Sequence, residues 1–395
     1  MKHKSIARKV TAALSALTLL FCCAVPAYAF KGERRDDIFS GKLQFEPGVV
    51  QQQHEVTKPT KLLNKDGTVK EPGWARTNLF EYNREDIAAS PYQIKEWDYY
   101  QVSNEKYLCQ FTIANIGVGA GAFIKVHDTQ NKKVILDTGI GMLGTTHILQ
   151  MPRSSAEPST ITHKFGNWNL TVVYDGHTRH ITAQGLTVKP GLEKFKIDLT
   201  LEEMPNLESI TMAIPYKDSK HFFLTNKIDS MPTSGYVQIG NDTINFSKKN
   251  TFGFLDWGRG VWDHETNWVW SNGSGYLPDG SILGWELTWG IGDTSNATET
   301  CLFYNGKANK LGRVTMEYDP KDLTKPWKFH EENGRFEMTF TPFYDNYSDL
   351  DILELLGTNG HQVHGYWTGT VTLDDGTVIP VNHMYAFCEQ VNNRW

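Results

Sequence analysis

The stretch FKIDLTL, residues 195–201, alternates apolar and polar side chains with a period of two. This period places every apolar side chain on one face of a β-strand. Residues 336–340 (FEMTF) alternate in the same way, and residues 170–182 predict a hairpin that turns at Asp175-Gly176. Residues 348–356 fit either one short helix or a buried strand. We therefore predict an all-β protein with few short helices.

Turn signals are concentrated in the C-terminal half of the chain. Eight Asn-Gly or Asp-Gly dipeptides occur, and six of them lie after residue 270. Such pairs tolerate the positive φ angles of two-residue hairpin turns. The C-terminal half is therefore predicted to be an up-and-down meander. The eight dipeptides begin at Asp66, Asp175, Asn272, Asp279, Asn305, Asn333, Asn359 and Asp375.

The length of 395 residues is sufficient for two domains. Three prolines between Met204 and Pro232 mark the predicted boundary, which gives β domains at residues 71–230 and 231–395. Residues 30–70 are polar and predict an irregular arm. Meanders close into barrels or stack into sandwiches, which removes exposed edges. We therefore predict two tandem antiparallel β-barrel or sandwich domains.

The N-terminus has the features of a secretory signal peptide, predicted at residues 1–29. Four basic residues precede a mostly apolar run at residues 10–25, and Ala27-Tyr28-Ala29 supplies the small residues of a cleavage site. We predict cleavage after Ala29 and an exported protein, periplasmic or secreted. No later stretch approaches the ~18 apolar residues that a membrane-spanning helix needs, so no transmembrane segment is expected after cleavage.

The charge balance argues against nucleic acid as a partner. The net charge is −6, and removal of the four basic residues of the signal peptide brings it to −10. An acidic chain without a basic block does not attract phosphate backbones. Hydrophobic residues make up 39% of the chain, which is enough for a core. The oligomeric state stays open.

Cysteine and histidine give no sign of a metal site or a cofactor, and none is predicted. Cys109, Cys301 and Cys388 remain after cleavage and are too widely spaced for a CxxC motif. One disulfide could form, but we favour three small buried hydrophobic residues. His361 and His364 are three apart between glycines, which favours a turn and strand over a pair of helical metal ligands.

Tryptophan is strongly concentrated in one region. Six of the twelve tryptophans lie between Trp257 and Trp289. In strands, Trp268 and Trp270 share one face, whereas Trp285 and Glu286 point to opposite faces. A tryptophan wall with a few polar groups suits a largely apolar small ligand. The predicted ligand-binding residues are Trp257, Arg259, Trp262, Trp268 and Trp270.

Two alternatives keep this region from being assigned to ligand binding alone. About half of the tryptophans can belong simply to the core. Asp256 and Arg259 can form a structural ion pair that fixes a corner of the chain. We nevertheless retain Asp256, Glu286 and Glu299 as candidate catalytic residues, because an apolar setting raises the pKa of a carboxyl group and suits it to act as a general acid.

Several stretches resemble the family named domain of unknown function 2804. The most specific is LDWGRGVW at residues 255–262, supported by residues 95–100, 298–311 and 361–395. The resemblance implies a tandem, lipocalin-like β-barrel fold, similar to two-barrel proteins such as hydroxyneurosporene synthase, a carotenoid hydratase. It also implies a polyene or lipid-like ligand. Glu286 and Thr300 stand where this family is expected to have asparagine, and no catalytic residue is carried over from the hydratase.

Three functions follow from these observations. The leading hypothesis is an exported protein that binds a hydrophobic, lipid- or isoprenoid-like small molecule in a tryptophan-lined barrel pocket. The second is a hydratase or cyclase that acts on a polyene in such a pocket. The third is a secreted glycan-binding or glycan-cleaving protein, since paired carboxylates and aromatic floors also suit sugars. An enclosed apolar site and an open cleft distinguish these hypotheses.

Overall fold

The computed structural model describes residues 53–187, 191–352 and 356–394. The predicted signal peptide, the cleavage site after Ala29 and residues 30–52 of the predicted arm lie outside the described residues. Within the described ranges, no helix is long and apolar enough to cross a membrane.

Strands form nearly all of the regular structure, as predicted, and the described ranges contain only two short 3₁₀ helices, Arg84–Asp86 and Pro91–Gln93. The strands before residue 262 are β1 (Thr60–Lys61), β2 (Gly73–Ala75), β3 (Phe80–Glu81), β4 (Ile94–Ser103), β5 (Tyr107–Asn115), β6 (Gly119–Asp128), β7 (Lys133–Leu143), β8 (Ser159–Phe165), β9 (Trp168–Tyr174), β10 (Thr178–Leu186), β11 (Lys194–Glu202), β12 (Ile210–Pro215), β13 (Phe222–Ile239), β14 (Asp242–Phe246) and β15 (Phe252–Val261). The later strands are β16 (Glu265–Tyr276), β17 (Ile282–Trp289), β18 (Cys301–Tyr304), β19 (Lys307–Lys310), β20 (Val314–Glu317), β21 (Trp327–Glu331), β22 (Phe336–Ile352), β23 (Leu356–Thr372) and β24 (Val378–Arg394).

The larger sheet forms the first barrel. Its main path is antiparallel, in the order β7-β6-β5-β4-β15-β13-β11-β10-β9-β8, with β2, β12 and β14 attached through β13. Side chains join its two ends: Trp168 in β9 donates a 3.2 Å hydrogen bond to the Thr138 hydroxyl in β7, and Thr138 donates at 3.1 Å to the Leu186 carbonyl in β10. Because these contacts bring the edges together, the sheet curls into a barrel.

The smaller sheet forms the second barrel. Its antiparallel order is β19-β18-β17-β16-β24-β23-β22-β21-β20. The two edge strands, β19 and β20, are joined by residues 311–313 alone, so the chain itself holds the edges of the sheet close together. The fold is therefore two tandem antiparallel β-barrels, as predicted.

Several local predictions are confirmed. Residues 170–174 and 178–182 pair in the hairpin β9–β10. Of the two alternatives for residues 348–356, a strand is found over residues 348–352, at the end of β22. Asn305 and Gly306 have φ angles of +47° and +79° in the two-residue turn between β18 and β19. Asparagine and glycine tolerate that left-handed backbone better than other residues do.

The sheets change between Val261 and Glu265. The predicted domain boundary between residues 230 and 231 falls inside β13. This strand is continuous, and the irregular backbone at this point is a β-bulge. Ser230 has a φ of +59°, and the pairing of β13 with β15 shifts register between Ile228 and Met231.

The described part of the predicted arm is ordered against both barrels. The Gln53 side chain accepts a 2.6 Å hydrogen bond from the Thr298 backbone and donates one of 3.1 Å to the Leu311 carbonyl. Val56 and Leu62 are buried in the core of the first barrel. Residues 53–70 therefore form part of the folded body.

The three cysteines are free and fully buried, as we favoured from the sequence. Cys109 lies in the core of the first barrel and Cys388 in the core of the second. Cys301 lies in a third cluster of apolar side chains. Their separation into three clusters explains why none of them pairs.

Candidate functional site between the barrels

Strand β15 distributes the predicted site residues over two faces. Trp257 is fully buried in the core of the first barrel. Arg259 is two residues further along and is also fully buried, with its guanidinium 4.1 Å from the Trp257 ring centroid. Asp256 leaves on the opposite face, where the second barrel packs. The Asp-Trp-Gly-Arg-Gly block therefore places side chains both inside the first barrel and at the contact with the second.

Arg259 bonds groups of its own barrel through both terminal nitrogens, while its buried Nε atom has no hydrogen-bond partner. It donates hydrogen bonds to the carbonyls of Trp97, Gly258 and Pro152 at 2.7–2.8 Å and pairs with Asp98 at 2.9 Å. The ion pair between Asp256 and Arg259 considered from the sequence is therefore wrong. Residues three apart in a strand point to opposite faces, so these two side chains cannot meet.

Trp268 and Trp270 share the face of β16 that points towards the first barrel, as predicted. The Trp270 ring packs against Tyr99, Phe254 and Phe387 at centroid distances of 5.8, 5.6 and 5.4 Å. Trp285, in contrast, lies in the core of the second barrel, while Glu286 faces outwards to Trp270. The opposite orientations predicted for Trp285 and Glu286 are confirmed.

Trp262 occupies a neighbouring part of the contact between the barrels. Its ring lies 4.5 Å from that of Trp97 and 5.6 Å from that of Phe223. Glycine at position 258 makes room for this group, because a Cβ atom there would lie 2.3 Å from the Trp97 indole. Trp262 therefore belongs to an aromatic cluster beside the acidic groups.

The buried Lys227 lies among the candidate acids. Lys227 in β13 is paired in register with Asp256 in β15, and its Nζ atom lies 2.8 Å from Asp256 Oδ1. The same nitrogen lies 3.9 Å from Glu299 Oε1 and 5.2 Å from the Trp270 ring centroid. Burial alone lowers the pKa of Lys227, but the carboxylates of Asp256, Glu299 and Glu286 outweigh it and raise the pKa above its ordinary value.

Burial shifts two of these acids towards their protonated forms. Burial raises the pKa of Glu286 well above its ordinary value and also raises that of Glu299, while Lys227 opposes both shifts. Glu286 Oε1 accepts hydrogen bonds from Trp270 Nε1 at 2.6 Å and from the Thr288 hydroxyl at 2.9 Å. Glu286 Oε2 and both Glu299 oxygens have no hydrogen-bond partner. The structure thus brings all three predicted acids together around Lys227.

Beside this cluster lies a set of aromatic and acidic side chains at the contact between the barrels, which we call the inter-barrel recess and define by Tyr99, Asp256, Trp268, Trp270 and Glu389. Glu389 accepts a 2.9 Å hydrogen bond from Trp268 Nε1. Tyr99, Asp256, Trp268 and Glu389 keep some exposed surface. Burial nevertheless raises the pKa of Glu389 to about 7 and raises that of Tyr99 well above its ordinary value. These side chains are therefore partly exposed and yet strongly desolvated.

Sequence reasoning missed the residues that the first barrel contributes. Gln101 and Asn272 form a reciprocal amide pair across the contact, with hydrogen bonds of 2.9 and 3.3 Å. Lys227 was also missed. The available signal was a lysine within Phe222–Ile228, where the neighbouring residues are largely apolar. A charged residue in such a strand requires a partner.

In the part of the chain that the structure describes, no group of three or more His, Cys, Asp or Glu side chains could hold a metal ion. His361 lies in β23 and pairs with Asp345 at 2.8 Å, whereas His364 leaves on the opposite face and contacts Tyr385. The strand geometry separates the two histidines, as their glycine neighbours indicated.

These features define a tandem β-barrel protein with an acidic, aromatic recess between its barrels. The chain belongs to the family called domain of unknown function (DUF2804), whose model matches residues 53–395. The resemblance predicted from the LDWGRGVW stretch is therefore confirmed.

The chain is also similar to several solved structures that are distant in sequence. The chain is similar to CghA, with 11% identity and a TM-score of 0.47 over 87% of this chain and 97% of that one. It is similar to a putative AttH from Nitrosomonas europaea, with 12% identity and a TM-score of 0.45 over 78% and 95%. Kievitone hydratase from Nectria haematococca shows 8% identity and a TM-score of 0.42 over 76% and 88%. No curated protein matches the chain.

Proposed function

We propose that this protein is exported and binds a hydrophobic small molecule in the inter-barrel recess. The observation that carries the proposal is the enclosed setting of Trp268 and Trp270 beside buried carboxyl groups. Apolar sites with a few convergent polar groups are typical of small-molecule binding. The indole rings suit the apolar part of the ligand, while Asp256 and Glu389 suit a polar end. Trp257 and Arg259 have no role in this recess, because both side chains lie inside the first barrel.

Tryptophan fluorescence tests this proposal. We expect oleic acid, farnesol or squalene to shift or quench the emission of the wild-type protein at micromolar concentration. Trp270→Phe is expected to weaken that response, because it removes a ring that lines the recess. Trp327→Phe is the matched control, since Trp327 lies in the core of the second barrel. Absence of any response to all three probes would reject the proposal.

A second candidate is acid-catalysed hydration or cyclisation of a polyene in the same recess. It is favoured by the unpartnered carboxyl oxygens of Glu286 and Glu299 and by the raised pKa of each group. In hydration, a carboxylic acid transfers its proton to one carbon of a double bond. Water then adds to the resulting cation and loses a proton to the carboxylate, so the acid is regenerated.

Product analysis separates catalysis from binding alone. Wild-type protein is incubated with farnesol and squalene, and mass spectrometry looks for products heavier by one water or rearranged at the same mass. We expect Glu299→Gln and Glu286→Gln to abolish the product and Asp256→Asn to reduce it. Glu157→Gln, on an exposed segment, is the control. Unchanged turnover in all three variants would remove these groups from the mechanism.

The buried position of the carboxyl groups favours an enclosed ligand over a glycan chain. Glycan cleavage requires two carboxyl groups that flank a sugar linkage in an accessible cleft. Glu286 and Glu299 are both buried, with 0% and 1% exposure. A glycan would have to enter the contact between the barrels to reach them.

Export is tested separately from ligand binding. We expect the mature protein, recovered from the native host, to begin at Phe30. N-terminal sequencing of protein from the periplasmic and medium fractions measures this directly. Recovery only in the cytoplasmic fraction, with residues 1–29 intact, would reject export and leave the recess untouched.

A further inference from the structure

Two buried histidines lie beyond Phe387 when viewed from the inter-barrel recess. His127 comes from β6 of the first barrel and His364 from β23 of the second, and their ring centroids are 5.8 Å apart. The Phe387 ring lies 5.4 Å from Trp270 and 6.4 Å from His364. Both histidines are 0% exposed. The apolar wall of the recess therefore continues to this pair.

A hydrogen-bond chain fixes the protonation of His127. His127 Nε2 donates to Gln110 Oε1 at 3.1 Å, and Gln110 Nε2 donates to the Tyr99 hydroxyl at 2.9 Å. Tyr99 donates to Gln101, which donates to Asn272. Because Gln110 Oε1 can only accept a hydrogen bond, Nε2 of His127 must carry the proton. Its Nδ1 atom is then an acceptor, and it has no partner.

His364 presents a second ring nitrogen without a partner. Its Nδ1 atom bonds the Tyr385 hydroxyl at 2.8 Å, and Tyr344 stacks on the ring at a centroid distance of 5.3 Å. These contacts leave Nε2 buried and unpartnered. Burial lowers the pKa of His364 to about 3 and that of His127 well below its ordinary value. Both rings are therefore neutral at physiological pH.

We propose that His127 Nδ1 and His364 Nε2 form a subsite for a small O–H group, either a hydroxyl of the bound ligand or a water molecule. The inference rests on the proposed ligand-binding function and adds a second polar contact, separate from the one at Asp256 and Glu389. A single O–H group would bond both nitrogens. It would lie on the side of Phe387 that faces away from the acids.

The chemistry of the two nitrogens selects this group. His127 Nδ1 requires a donor, whereas His364 Nε2 donates or accepts according to the role that the Tyr385 hydroxyl leaves to Nδ1. A hydroxyl or a water molecule both donates and accepts, so it satisfies either arrangement. A carboxylate offers no hydrogen to His127. Leaving a buried polar atom unpaired is costly, so a site of this kind favours an O–H group over its apolar analogue.

Matched probes test the subsite. Farnesol and farnesyl methyl ether share the same chain, but only farnesol carries an O–H hydrogen. We expect wild-type protein to bind farnesol about tenfold more tightly than the ether, measured by tryptophan fluorescence. His127→Phe and His364→Phe should each reduce farnesol binding to the level of the ether and leave the ether unchanged. His177→Gln, on an exposed turn, should behave like wild type.

Nuclear magnetic resonance of imidazole nitrogens provides a test that needs no substitution. Farnesol should shift the free nitrogens of His127 and His364. If farnesol and the ether bind equally, water is the expected occupant, and a water-to-ring cross-relaxation signal at both histidines would support it. If that signal is also missing, the subsite is rejected, while binding of the ether still supports the proposed function.

Two further results would count against these proposals. Stoichiometric zinc binding that disappears in either histidine variant would reject the subsite. Failure of every apolar probe to bind would reject the proposed function itself.

Discussion

The core of the second barrel and the inter-barrel recess use tryptophan in different ways. In the barrel core, ring packs on ring: Trp367 lies 4.6 Å from Phe329 and 5.3 Å from Trp285, and Trp327 lies 5.9 Å from Phe340. In the recess, Trp268 and Trp270 instead direct their indole nitrogens to Glu389 and Glu286. The same residue type therefore fills space in one place and orients acids in the other.

The difference shows which tryptophans can serve a ligand. A ring that is enclosed by other rings has most of its surface in contact with them, and its removal chiefly leaves a cavity. A ring beside desolvated carboxyl groups belongs to a region where polar atoms still lack partners, as the oxygens of Glu299 do. Such regions are typical of functional sites. Unpartnered polar atoms alone do not distinguish the two regions, because Trp367 Nε1 in the barrel core also lacks a partner; the desolvated carboxyl groups do.

The largest expected effect is on stability in the barrel core. Trp327→Ala should lower the free energy of unfolding by about 3–5 kcal/mol, because it leaves a large cavity. Trp268→Ala should cost about 1 kcal/mol, because Trp268 is partly exposed and loses mainly its bond to Glu389. Urea unfolding of both variants measures the difference. Equal losses would show that the two regions do not differ as described.

Removal of the buried lysine should have the next largest effect. Lys227→Met leaves Asp256 and Glu299 without their cation and should lower the free energy of unfolding by about 3 kcal/mol. Adding Glu299→Gln should recover part of that loss. Breaking the exposed pair of Lys325 and Asp319 by Lys325→Met should cost far less. A loss in Lys227→Met no greater than in Lys325→Met would contradict the buried role.

A smaller effect concerns pH. Burial raises the pKa of Glu389 to about 7 in the folded protein, while Trp268 and Lys227 oppose the shift. A raised pKa in the folded state means that folding favours the protonated form of Glu389 over its charged form. The contribution of Glu389 is thus fully present below about pH 4.5 and is lost as the pH rises to about 7.

Denaturant unfolding at pH 4.5 and 7.5 tests this linkage. The free energy of unfolding should fall less over that range in Glu389→Gln than in wild type, by on the order of 1 kcal/mol. Asp229→Asn should change the slope in the same direction, since burial also raises the pKa of Asp229 to about 7. Asp175→Asn, on an exposed turn, should not flatten the slope. Parallel curves for wild type and Glu389→Gln would refute the assignment.

The sequence predicts the fold and the sides of strands well. A period of two is local, so it places Trp268 with Trp270 and separates Trp285 from Glu286 without knowledge of the partner strands. The Asn-Gly and Asp-Gly dipeptides are equally local, but the two that begin at Asn272 and Asn359 lie inside β16 and β23 and not in turns. These signals suffice for an antiparallel meander.

The composition of the site depends on contacts that no local pattern contains. Lys227 and Gln101 reach the acids only because β13 and β4 flank β15 and because this outer face packs against the second barrel. Because the partner strands were unknown, Asp256 was wrongly considered as the partner of Arg259. The structure pairs Arg259 with Asp98 on a neighbouring strand. The three acids were chosen individually and meet through tertiary packing.

The smallest effect should come from the amide pair that links the barrels. Asn272→Ala removes both hydrogen bonds to Gln101 and leaves that buried amide only its longer bonds to Tyr99 and Ser103, at an expected cost of about 1 kcal/mol. Gln101→Ala should cost a similar amount, and the double variant should cost less than the sum of the two, because they remove the same interaction. Asn64→Ala, in an exposed pair with Thr68, is the control and should be nearly neutral. Additive losses in the double variant would show that the pair does not couple the barrels, and the recess would then be held closed by Trp270 and its aromatic neighbours alone.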